Sequence, residues 1–138
     1  MRRDNSRRLA QYKPRKELDN ATLTCRFVIP SDEICPTAPA DVRLHFPLGL
    51  WVRGGDRLPQ LTARSIAVTG NRNATEQAIT RTHAFAAAVA EAGRTVTATL
   101  AYGVDSTAHR AAAQVGGVTL AVLPCGLTVP TRTTPPSC

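Results

Sequence analysis

The chain has 138 residues, room for one domain, and its 43% apolar content includes only 4% aromatics. Seventeen Lys and Arg against ten Asp and Glu give a net charge of +7 and a pI near 10.1, favouring an anionic partner: nucleic acid, an acidic protein or a membrane surface. No apolar run has transmembrane length, Leu9 to Thr24 is too polar for a secretory leader, and the four cysteines form no CxxC, so the expectation is a cytoplasmic protein with free thiols and no zinc.

Residues 1–24 form a polar arm rich in basic residues: Arg2, Arg3, Arg7, Arg8, Lys13, Arg15 and Lys16. Such a segment reads as solvated and flexible, able to attract a phosphate backbone without fixed structure. Residues 25–63 read as an irregular, proline-punctuated lead-in. It holds a short strand at 26–29 and an edge strand at 48–55, with Trp51 as a buried packing anchor.

The organised section covers 64–130, and it carries no proline between Pro59 and Pro124. A β-branched apolar run at 64–69 stops at Gly70 and predicts a buried strand. The next segment is helical, with Ile79, Ala86, Val89 and Ala90 on one stripe beside Phe85. Asn73 and Glu76 have the spacing of a capping box, and Gly93 suits the C′ position. A strand follows at 94–100, then an Ala-rich helix at 105–117 with Asp105 or Ser106 as N-cap, then a strand at 118–123. Residues 131–138 read as a disordered tail. Strand, helix, strand, helix, strand with tight connections is a βαβαβ unit, which right-handed crossovers turn into a parallel α/β sheet. The sheet is expected to be incomplete at its C-terminal end, because the chain after Leu123 suits neither helix nor strand.

Ligands of such sheets bind at the carboxyl ends of the strands, beside helix N-termini. Three loops should meet there: 69–75, 101–107 and 124–128. In the first, Gly70 permits a tight turn, the amides of Asn73, Ala74 and Thr75 are expected to open a helix, and Arg72 offers a planar fork for phosphate. In the second, Gly103 lets a backbone approach a ligand, and Asp105 is either a cap or a site residue. The chain lacks GxGxxG, GxxxxGK[ST] and GxSxG, and no carboxylate or nucleophile is placed beside His109, which reads as structural.

These loops resemble the DprA/Smf DNA-processing family. The likeness runs from Phe46 to Pro130. "SIAVTGNRNAT" resembles the family's strand and GSR-type loop at Gly70 and Arg72. "LAYGVDSTAHRAA" resembles its second signature at Gly103, Val104, Asp105, Ala108, His109, Arg110 and Ala112. "GGVTLAVLPCGL" resembles the third, including Gly126. The resemblance implies a Rossmann-like parallel sheet that binds single-stranded DNA without known catalysis, protects strands and helps load RecA recombinase in natural transformation. By that carry-over the phosphate site comprises Gly70, Asn71, Arg72, Asn73 and Thr75, with Gly103 and Asp105 from the second loop and Gly126 from the third. No cofactor is implied. The family's Ser-Gly pair before the second signature is Ala98-Thr99 here, and the segment carrying a further basic residue and the homodimer surface is replaced by "PTRTTPPSC". Two other readings stand beside this one. The first is a nucleotide-binding or phosphoribohydrolase-type relative, against which the missing PGGxGT-type loop counts. The second is an inactive truncated copy.

Overall fold

The computed structural model describes residues 15, 16, 19, 22–36, 47–54 and 57–124. The arm is therefore described only in small part, and the tail and Gly126 lie outside the described residues. Strand β1 (Arg26–Val28) pairs antiparallel with β2 (Leu50–Val52), Phe27 opposite Trp51. These two strands form a sheet of their own, so the 48–55 run is not an edge of the main sheet. Trp51 is half-buried rather than enclosed, its ring 4.9 Å from that of Phe27. Cross-strand aromatic pairs of this kind are what such a small ribbon has to hold it.

Helix α1 (Leu58–Ala63) occupies a segment whose sequence shows no helical periodicity. Pro59 looks like a breaker, but it sits in the first turn, where the missing N–H costs nothing. The Ser65 hydroxyl donates to the Thr62 carbonyl and turns the chain directly into the next strand.

The main sheet is β3 (Ser65–Ala67), β4 (Thr95–Ala98) and β5 (Thr119–Ala121), all parallel and in that spatial order. Helix α2 (Glu76–Glu91) joins the first pair and α3 (Val104–Gln114) the second. Two crossovers of one hand, stepping the same way, leave both helices on one face, where they pack against each other. The core beneath them is Val68 and Val96 from the sheet side, Ala86, Val89 and Ala90 from α2, and Ala108, Ala111 and Ala112 from α3. Ile79 is half-buried and Phe85 is 53% exposed, so the inward stripe of α2 is narrower than its sequence suggests. On the other face Ala67, Thr97 and Leu120 lie side by side in register, and Ala67, Val118 and Val122 are exposed.

Both helix starts differ from expectation. The cap of α2 is Thr75, whose hydroxyl accepts from the Ala78 amide at 3.2 Å, and Asn73 with Glu76 forms no capping box. The cap position of α3 is Gly103, and neither Asp105 nor Ser106 fills it. Asp105 is instead the acidic residue of the first turn, drawn inward by bonds to the strand ends. Gly93 lies just past cap Ala92, as expected of a C′ glycine, whereas the second helix stops at Gln114, short of the expected 117, with Gly116 just past cap Val115.

Candidate functional site

The carboxyl ends of β3 and β4 are tied together by one buried carboxylate. Asp105 is 2% exposed and accepts from the Gly70 amide at 3.2 Å, the Thr99 amide at 3.1 Å and the Thr99 hydroxyl at 2.5 Å. Three donors and the positive end of α3 balance the charge that burial would otherwise penalise. Asp105 thus holds the first loop to the second, and its oxygens face protein donors rather than solvent.

The two loops also touch through glycines. Gly70 lies over Val104, whose methyls leave no room for a Cβ there. Gly103 has φ +78° and ψ −124°, a region closed to residues with side chains, and its Cα faces the carbonyls of Asn71 and Arg72. The Val104 amide completes the junction by donating to the Asn71 carbonyl at 3.3 Å. The resemblance grouped Gly70, Asn71, Arg72, Gly103 and Asp105, and the fold brings all five together at this edge.

The amides behave differently from the sequence expectation. That of Asn73 donates to Asn71 Oδ1 at 3.0 Å, closing an Asx turn, and it opens no helix. Ala74 and Thr75 also precede α2, so the first-turn donors are Glu76 and Gln77, with Ala78 already capped. Glu76 places a carboxylate in that turn and opposes an incoming anion. The permanent cation here is Arg72, exposed, with no acceptor for its guanidinium among the described residues. A second cation, Arg110, reaches back along α3 to the Ser106 carbonyl and hydroxyl, at 3.3 and 3.4 Å.

His109 Nε2 lies 3.1 Å from the Thr99 carbonyl, which only accepts, so that nitrogen carries a proton and the ring braces the β4 end. His83 bridges α2 to α3 through Gln114 at 2.7 Å. Cys25 and Cys35 are buried thiols, and burial with the nearby Asp32 carboxylate pushes Cys35 above its ordinary range. Among the described residues no group of His, Cys, Asp and Glu is gathered to hold a metal, and no helix is long and apolar enough to cross a membrane.

Sequence reasoning missed Thr99 as a working residue. It stands where a Gly would be more open, and its hydroxyl both donates to Asp105 and accepts from the Ala101 amide at 3.1 Å. A hydroxyl six residues before a helix-borne Asp is a weak signal without coordinates.

Comparison with known proteins adds the following. The sequence profile of the family described as DNA recombination-mediator protein A matches residues 26–134. A putative DNA processing protein DprA of Mycobacterium tuberculosis is 42% identical over 86 residues, 62% of this chain and 22% of that protein. Protein Smf of Escherichia coli K12 is 32% identical over 118 residues, 83% of this chain and 31% of Smf. The X-ray structure of DNA processing protein A from Streptococcus pneumoniae matches with a TM-score of 0.70 and 26% identity, over 93% of this chain and 44% of that one. The chain therefore spans well under half the length of these curated relatives, 22% and 31% of the two proteins.

Proposed function

Because this chain belongs to the DNA recombination-mediator protein A family, that of the DprA and Smf proteins, we propose that it binds single-stranded DNA at the edge formed by the loops 69–75 and 99–103. The observation that carries this reading is Arg72: an unengaged, exposed guanidinium on a turn that Asp105 and Gly103 hold rigid. An Arg fork carried on a fixed turn suits a phosphate and reads no base, so binding tracks the backbone whatever the sequence. The function is binding without catalysis. Asp105 and His109, the two titratable groups that α3 brings to the end of β4, are taken up by hydrogen bonds to Thr99. In the whole protein the same binding would serve strand protection and hand-over to a RecA recombinase in the cytoplasm. A homodimer would set two such edges on one strand.

The test is fluorescence anisotropy of a labelled single strand at fixed salt. Arg72→Ala should lower affinity roughly tenfold to a hundredfold, the worth of one charge-assisted phosphate contact. Arg72→Lys should recover part of that, since the ammonium keeps the charge and loses the fork. Arg64→Ala is the internal control: Arg64 is also exposed, but precedes β3 at the opposite end of the sheet. It should change binding little. Equal losses for Arg72→Ala and Arg64→Ala would mean diffuse charge and no site. A mononucleotide that competes as well as the strand would move the reading to nucleotide binding.

A further inference from the structure

We propose that Tyr102 is a base-stacking platform of this edge, so that one nucleotide is gripped by its phosphate at Arg72 and by its base at Tyr102. The inference rests on the single-stranded DNA reading above and adds to it a residue and a strand preference. Tyr102 is 42% exposed. Lone exposed aromatics are ordinary, and exposure alone would say nothing.

Its mounting is what distinguishes it. On one side, Ala101 is held twice: its amide donates to Thr99 Oγ1 at 3.1 Å, and its carbonyl accepts from the Ser106 amide at 3.0 Å. On the other side, the Gly103 carbonyl accepts from the Ser106 hydroxyl at 3.2 Å and the Thr107 amide at 3.1 Å. The backbone carrying the ring is thus pinned at both neighbours, although the ring itself faces solvent. An aromatic presented on a fixed turn loses little freedom when a base stacks on it.

Position adds the second argument. Gly103 is pressed against the Asn71 and Arg72 carbonyls, and Tyr102 is its covalent neighbour, about 3.8 Å away between Cα atoms. The backbones that carry the exposed ring and the exposed guanidinium therefore meet at one junction. Among the described residues the ring has no aromatic or cationic partner, whereas Phe27 and Trp51 engage each other on the far ribbon. A π-face beside a phosphate-binding cation is the pairing that single-strand binders use, and a duplex, whose bases are stacked and covered, cannot offer it.

The experiment compares a labelled 20-mer of dT with an abasic 20-mer carrying the same phosphates, against the full chain, Tyr102→Ala, Tyr102→Phe and Arg72→Ala. Tyr102→Ala should lose roughly fivefold to a hundredfold on the dT strand and nothing on the abasic strand. Tyr102→Phe should retain binding, because the ring and not the hydroxyl carries the contact. Arg72→Ala should weaken both strands alike. Unchanged dT binding by Tyr102→Ala, or equal loss on both strands, overturns the platform and leaves the Arg72 site standing. No binding of either strand by the unaltered chain overturns both readings together. Circular dichroism of each variant excludes a folding defect, which an exposed side chain gives no reason to expect.

Discussion

At the scale of the residue, the junction of the two loops depends on a side chain turned away from solvent. Asp105 joins the end of β3, the end of β4 and the first turn of α3 through one carboxylate. Asp105→Ala removes the acceptor of the Gly70 and Thr99 amides and of the Thr99 hydroxyl in a part-buried place, each such loss worth up to about 1–3 kcal/mol. We expect a loss of about 2–4 kcal/mol in chemical denaturation, a large share of a small domain's total. DNA affinity should fall with it, because Arg72 then rides on an unheld loop. A stability within 0.5 kcal/mol of the parent, about the scatter of surface changes, would show the network to be dispensable. Gly103 works by a different physical means, since any side chain there meets both a disallowed φ and the carbonyls of the facing loop.

At the scale of the element, β4 is the member on which the rest is assembled. It pairs on both edges, and Val96 is fully buried under α2 and α3. One flaw sits in it: Thr97 Oγ1 is buried without a hydrogen-bond partner among the described residues. Thr97→Val keeps the shape and the β-branch and removes the unsatisfied hydroxyl. The expected gain is about 1 kcal/mol, or roughly 4 °C in Tm for a chain of 138 residues. A fall in Tm would mean that the hydroxyl finds a partner outside the described residues. The same side of the sheet exposes Val118 and Val122 around the last strand, an apolar strip that favours self-association.

At the scale of the whole molecule, charge is concentrated at one end of the chain. Residues 1–16 hold seven basic residues and one acidic residue, Asp4, hence a net +6 of the total +7. The rest of the chain is close to neutral, so on the proposed reading general attraction to nucleic acid would come from the arm and geometry from the loops. Deleting residues 1–16 should weaken binding to all strands alike. It should also flatten the salt dependence, by roughly 0.7 in log–log slope for each phosphate that the arm neutralises. The Arg72→Ala effect should survive in the shortened protein. An unchanged slope would show that the arm takes no part.

Much of this protein was legible from sequence because the information is local. The runs at 64–69, 94–100 and 118–123, with Ala-rich helical segments between them, point to a parallel βαβαβ unit by periodicity and handedness alone, and the strands form inside them at 65–67, 95–98 and 119–121. Gly70, Arg72 and Gly103 were recognisable because strand-end loops of such a unit must converge. What remained hidden depended on partners distant in sequence. The cap of α3 falls at Gly103 where the Val104 amide bonds the Asn71 carbonyl of the other loop, whereas the Thr75 cap is a local bond to Ala78 that follows the Asx turn at Asn73. Asp105, which suits a cap on local grounds, is turned inward, where Gly70, 35 residues away, and Thr99 supply the donors its buried carboxylate needs. Sequence determined which elements form and which edge they share. Only the tertiary structure decided that the Asp105 carboxylate ties the ends of β3 and β4 together, because satisfying a buried charge takes donors from two strands at once.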